Sequence, residues 1–144
     1  GMETLYPRMK TLCESALQVA QWLENHPRVA RVLYPGLTSH PQFSLAQQQM
    51  DLFGGIIAFQ VNDIDLIEQR FAHESAMFYY AFSIGHQRSL AVVMRTDDLD
   101  ASTYRFTPEQ KAHFCRDAGQ GIVRLSIGLE SPTDLIRDLE VALR

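Results

Sequence analysis

The segment Gly121-Ile122-Val123-Arg124-Leu125-Ser126-Ile127-Gly128 places one guanidinium inside an otherwise apolar run. Side chains alternate across an extended strand, so Val123, Leu125 and Ile127 share one face and Arg124 points from the other, between Ile122 and Ser126. A charge held among apolar neighbours needs a counter-anion, because an unpaired buried charge is strongly disfavoured. That anion is either an internal Asp or Glu or the carboxylate of a ligand, which arginine grips with two parallel N–H bonds. The second segment with chemical potential is Phe82-Ser83-Ile84-Gly85-His86-Gln87-Arg88-Ser89-Leu90. A Ser-x-Gly turn leaving a strand can present a hydroxyl and backbone N–H groups to an anion. Equally, Gly85 can serve only to reverse the chain while Ser83 bonds its own backbone.

Other reactive side chains are scattered. His26, His40, His73, His86 and His113 include no His-x-x-x-His pair, and His113-Phe114-Cys115 offers two ligands where a zinc site needs three or four. His86 beside Arg88 has no serine or cysteine nucleophile and supporting acid at a recognisable spacing. Gly54-Gly55 lacks the further glycines or lysine of a phosphate-cradling loop. Cys13 lies beside an apolar helical stripe and is read as core.

The elements that must position Arg124 and Ser83 follow from periodicity. Leu5, Met9, Leu12, Ala16, Val19 and Leu23 recur at helical spacing, which predicts a long amphipathic helix from Leu5 to Trp22, closed before Pro27. Strands are predicted at Val29–Tyr34, Ile56–Val61, Ala76–Ala81 and Gly121–Ile127, and Ser89–Met94 is one more apolar run, ending in a polar loop at Arg95–Tyr104. Helix starts are predicted at Ser39-His40-Pro41-Gln42, at Asp63, at the Thr107-Pro108-Glu109-Gln110 capping box and at Ser131-Pro132-Thr133-Asp134. The resulting fold class is α+β, a small, mostly antiparallel sheet with helices packed on it, in one domain over residues 1–144.

Composition narrows the classes of function. With 144 residues, 46% of them apolar, the chain can bury a core without disulfides. Thirteen Lys and Arg against seventeen Asp and Glu give a net charge of −4, which argues against a nucleic-acid partner. No apolar run approaches the roughly 20 residues that span a bilayer, so no membrane partner is expected. Two cysteines suit a reducing compartment, and a cytoplasmic location is expected. Gly1-Met2 reads as a cloning remnant ahead of native sequence rather than as a signal peptide.

The ordered set of segments resembles a known family. It runs from Arg8-Met9, His26-Pro27-Arg28-Val29, Tyr34-Pro35-Gly36-Leu37 and Ser39-His40-Pro41 through Gly54-Gly55-Ile56-Ile57-Ala58-Phe59 and Ser83-Ile84-Gly85 with Ser89-Leu90. It continues through Ile122-Val123-Arg124-Leu125-Ser126-Ile127-Gly128-Leu129-Glu130 to Asp134-Leu135-Ile136. The whole is similar to the C-terminal domain of the pyridoxal-phosphate enzymes of cysteine and methionine metabolism, the cystathionine lyases and synthases and methionine gamma-lyase. The resemblance implies that Arg124 binds the α-carboxylate of an amino-acid substrate, that Ser83 and the backbone at Ile84 help to hold it, and that Phe82 lines the pocket. An apolar Phe82, where several relatives carry an acid, leans toward a methionine gamma-lyase-like or beta-lyase-like pocket. Arg88 departs from the acidic residue usual in that turn, and Ala91–Met94 replaces a stretch that usually contains proline. The resemblance also places the cofactor lysine in a larger preceding domain, and neither Lys10 nor Lys111 has the Ser-x-x-Lys setting. Pyridoxal phosphate is therefore expected in the parent enzyme and not on this domain alone, which is expected to be inactive by itself. The expected partners are the amino-acid substrate, the larger cofactor domain and further copies in a homo-oligomer. The alternative is a stand-alone, non-catalytic module that dimerises or binds a small carboxylate.

Overall fold

The computed structural model describes residues 1–144, the side chains of Thr103 and Tyr104 excepted. After a 3₁₀ turn at Met2–Thr4, helix α1 spans Leu5–Glu24. Its apolar stripe puts Ala16, Val19, Ala20 and Leu23 wholly out of solvent, and Asn25 closes its last turn with N–H bonds to the Leu23 and Trp22 carbonyls. Strand β1 (Val29–Leu33), helix α2 (Phe43–Gln49), strand β2 (Ile56–Val61) and helix α3 (Ile64–His73) follow. The predicted Asp63 cap is in place, its carboxylate accepting the Leu66 N–H at 3.1 Å. The second half comprises β3 (Tyr79–Tyr80), β4 (Leu90–Arg95), α4 (Thr96–Leu99), α5 (Pro108–Ala118), β5 (Gly121–Ser126) and α6 (Pro132–Ala142). The Thr107 capping box is complete: Gln110 N–H donates to the Thr107 hydroxyl, and Thr107 N–H donates to the Gln110 side chain.

The strands form one sheet in the order β1-β2-β5-β4-β3, antiparallel except for the β3–β4 pair. Register sends Ile57 and Phe59, Ala91 and Val93, and Val123 and Leu125 to one face, where they meet α1, α3 and α6 in the main core. Each fully buried aliphatic or aromatic side chain there contributes about 1.5–3 kcal/mol, so the helix-covered face carries most of the stability. The other face presents Ala58, Val92, Met94, Ile122 and Arg124. Among the described residues no helix is long and apolar enough to cross a membrane.

Three expectations need correction. The helix predicted from Ser39 begins at Phe43, with Gln42 at its cap. The Ser39 hydroxyl is drawn instead to the Glu24 carboxylate at the end of α1, so it cannot cap its own segment. The strand predicted over Ala76–Ala81 shrinks to Tyr79–Tyr80, because Asp138 captures the backbone ahead of it. That buried carboxylate accepts N–H bonds from Ala76 at 2.9 Å, Met77 at 3.0 Å and Phe78 at 3.3 Å, and the Ser75 hydroxyl at 2.6 Å. Those N–H groups are then lost to a ladder. The stretch predicted as loop from Arg95 starts instead with α4, whose first turn carries Asp97 and Asp98 at the positive end of its dipole. The side chains of Thr103 and Tyr104, at the end of that predicted loop, lie outside the described residues.

Beside the short β3 strand, the Tyr80 hydroxyl donates to Glu68 at 2.6 Å, and Arg95 pairs with both Glu68 and Asp65. The Tyr80 bond is the main cause holding the Glu68 carboxyl below its usual value, with Arg95 adding to it against desolvation. Burial and the same bond push the Tyr80 phenol up to about 12.

Asp138→Ala is expected to lower unfolding free energy by about 3 kcal/mol in urea titration, since it leaves several buried N–H donors without acceptors. Because the folded pKa of Glu68 is depressed, its stabilising contribution is present above the ordinary carboxylate pKa and disappears as pH falls through the folded value. Glu68→Gln should therefore give a flatter loss of stability than the parent chain below about pH 4.3, read by urea melts at stepped pH.

Candidate functional site

Strand β5 is the middle strand of the five, and Arg124 lies at its centre opposite Ala58 on β2 and Val92 on β4. Small and apolar neighbours leave the guanidinium free of side-chain hydrogen bonds within the sheet. It reaches the Phe82–Ser89 turn instead. Arg124 Nη2 donates to the Ser83 main-chain carbonyl at 3.1 Å, and the guanidinium carbon stands 4.6 Å from the centroid of the Phe82 ring. Its Nε is buried without a hydrogen-bond partner, and among the described residues no Asp or Glu forms an ion pair with it. Of the two counter-anions considered from sequence, the internal one is thus not found among the described residues.

The turn reaches Arg124 because of how β3 returns to β4. These strands pair in parallel, Tyr79 opposite Leu90 and Tyr80 opposite Ala91, with only residues 81–89 between them. Parallel neighbours normally require a crossover of a dozen residues or more. So short a return cannot build a crossover helix, and it folds at the end of the sheet on the Arg124 side. Gly85, at φ +72°, supplies the left-handed backbone that this reversal needs, and its N–H donates to the Ser126 hydroxyl at 3.3 Å. Phe82 and Ile84 remain 72% and 64% exposed, and the Phe82 ring borders the guanidinium.

Phe82, Ser83, Ile84 and Arg124 are therefore gathered in one place, across 41 residues of sequence. It is the carbonyl of Ser83, rather than its hydroxyl, that meets the guanidinium. His86 Nδ1 accepts the Arg88 N–H at 3.2 Å within the turn. Arg88 lies over the Tyr79 ring at 4.0 Å and donates to its hydroxyl, which directs this second cation to the sheet edge. Cys13 is buried, and burial pushes its thiol pKa up. Sequence reasoning quoted Ser89 and Glu130 among the family-like segments but gave them no role and did not pair them; they bond to each other behind the turn, and no local signal joins residues that far apart.

The family description "Cys/Met metabolism PLP-dependent enzyme" matches residues 1–144, the whole length of the chain. The chain belongs to this family. It is 42% identical over 144 residues to cystathionine beta-lyase of Coxiella burnetii, covering 99% of this chain and 35% of that protein. It is likewise 42% identical to L-methionine gamma-lyase of Pseudomonas deceptionensis, over 100% of this chain and 35% of the relative. Among solved structures, cystathionine gamma synthase from Xanthomonas oryzae in complex with cystathionine superposes with a TM-score of 0.79 at 32% identity, over 97% of this chain and 35% of that one. The chain thus spans about 35% of the length of the curated relatives it matches.

The family uses pyridoxal phosphate, and the cluster around Arg124 does not fit that group by itself. It contains no lysine. Lys111 is on α5, paired with Asp100 at 2.7 Å and Asp97 at 3.5 Å, and Lys10 is exposed on α1. The guanidinium keeps an unpartnered N–H donor and is bordered by the Phe82 ring.

An arginine retained for a ligand rather than for the fold should be dispensable to stability. Arg124→Met keeps the volume and removes the unpartnered donor, and it is expected to leave unfolding free energy unchanged or raise it by about 1 kcal/mol. Urea denaturation of the two chains measures this, and a loss beyond about 2 kcal/mol would assign Arg124 to the fold.

Proposed function

We propose that this chain is the C-terminal, substrate-carboxylate-binding domain of a pyridoxal-phosphate-dependent trans-sulfuration enzyme acting on a sulfur-containing amino acid. The observation that carries this reading is Arg124, a guanidinium at the centre of the sheet with a buried, unpartnered Nε and no acidic partner among the described residues. In this reading the substrate α-carboxylate provides the missing anion and docks on the free N–H groups of Arg124. The Ser83 carbonyl fixes the plane of the guanidinium, and Ile84 carries the backbone that borders it. Phe82 lines the apolar side of the pocket, in keeping with a thioether-bearing substrate. Pyridoxal phosphate would be held by a larger, separate cofactor domain, and the chain by itself would neither bind it nor turn over substrate. That larger domain would also cover exposed apolar side chains such as Ile56, Phe82 and Ile84.

With this chain as the C-terminal part of a complete enzyme, Arg124→Ala should lower kcat/KM by the equivalent of about 2–5 kcal/mol. Arg124→Lys should retain part of that loss, because an ammonium cannot provide the planar fork. The diagnostic measurement is substrate preference: the advantage of the free amino acid over its carboxamide should collapse in Arg124→Ala. An unchanged preference, or lyase turnover by the 144-residue chain alone, would overturn the proposed division of labour.

A further inference from the structure

Behind the turn that meets Arg124 is a second, fully satisfied arrangement. Ser89 is 0% exposed, yet both its donors end on one carboxylate: its N–H donates to Glu130 Oε1 at 2.8 Å and its hydroxyl to Glu130 Oε2 at 2.9 Å. The Ser89 hydroxyl oxygen in turn accepts the Gly128 N–H at 2.9 Å, and the Leu129 N–H donates to the Gln87 carbonyl at 2.9 Å. Together with the bond from Gly85 N–H to Ser126, these link the return at 85–89 to the exit of β5 at 126–130. The fit is tight. A Cβ on Gly128 would collide with the Gln87 carbonyl oxygen and stand 2.6 Å from Glu130 Oε2.

We propose that Glu130 is a positioning residue for the Arg124 cradle, acting through Ser89 to hold the Phe82–Ser89 turn against the guanidinium; this rests on the carboxylate-binding reading of Arg124. The requirement is chemical. Ser89 offers two buried donors, so its partner must present two acceptor oxygens side by side, which an ionised carboxylate does and a carboxamide does not. Glutamine would satisfy one donor and confront the other with an NH₂ group. Because Glu130 follows Arg124 by six residues on the same run of chain, the clasp refers the turn to the very strand that carries the guanidinium. Loss of the clasp would let the Ser83 carbonyl leave Nη2 and blur the geometry of the anion site without touching the helix-covered core.

The test uses the ¹⁵N-labelled 144-residue chain, following hydrogen exchange at the Arg124 Nε–H and at the Gly85 and Leu129 amides, with acetate titration alongside. Glu130→Ala should speed exchange at these three groups by about tenfold or more while the β2 amides keep their protection, the mark of a local opening. Glu130→Gln should fall between the parent and alanine, and it serves as the working variant if Glu130→Ala does not fold. Glu140→Gln, an exposed change on α6, should alter nothing. Acetate affinity should fall several-fold with Glu130→Ala. Exchange at Arg124 within about twofold of the parent, or acceleration spread equally through β2, would overturn the positioning role. If Arg124→Ala leaves acetate binding as it was, or acetate binds none of the chains, the carboxylate reading fails, and the exchange data still decide whether Glu130 positions the turn.

Discussion

An arginine paired with no acid among the described residues is the feature on which the remainder of this molecule turns. Arg124 could be neutralised by any Asp or Glu within reach, and seventeen are available in the chain. Instead its cross-strand neighbours are Ala58 and Val92, and its contacts are a backbone carbonyl and an aromatic ring. Both are too weak to satisfy a guanidinium but well suited to orienting one. A carbonyl occupies one N–H and a ring one face, while the other donors keep a defined direction. This is the condition under which an arginine reads a carboxylate by shape as well as charge.

The fold is arranged to deliver that contact. A sheet with one face packed under α1, α3 and α6 leaves the other available, and β5 at the centre gives Arg124 a seat on it paired to a strand on either side. The parallel return between β3 and β4 is unusually short, and its course depends on anchors at both ends. Asp138 gathers the backbone before β3, and Glu130 gathers the backbone before β4. Each is a carboxylate that accepts main-chain N–H groups where the ladder cannot. Each of these two acids is therefore used as an acceptor of backbone N–H groups.

Membership in the Cys/Met metabolism PLP-dependent family places this arrangement among enzymes named for lyase and synthase activities on sulfur amino acids. The similarity runs along the whole chain but over about a third of each relative. A cradle without a lysine accords with the proposal that this portion would orient a substrate acid group while the cofactor is held elsewhere.

Much of this was legible in the residues alone. The stripe of α1, the Thr107 box, the Asp63 cap and the alternation that sets Arg124 apart from Val123 and Leu125 are local, because each depends on side chains within a turn or two of one another. The pairing of Ser83 with Arg124 was suggested by family resemblance, not by spacing. Tertiary structure decided what local rules could not: that Ser39 answers to Glu24 and not to its own helix, that Asp138 erodes the strand before Tyr79, and that Glu130 and Ser89 meet. It also decided that Ser83 turns its carbonyl, and not its hydroxyl, toward the guanidinium. Periodicity records which face a residue takes, since that is fixed by backbone geometry. Which distant donor claims a given carboxylate depends on how the whole chain closes, and that information exists only once the elements are packed.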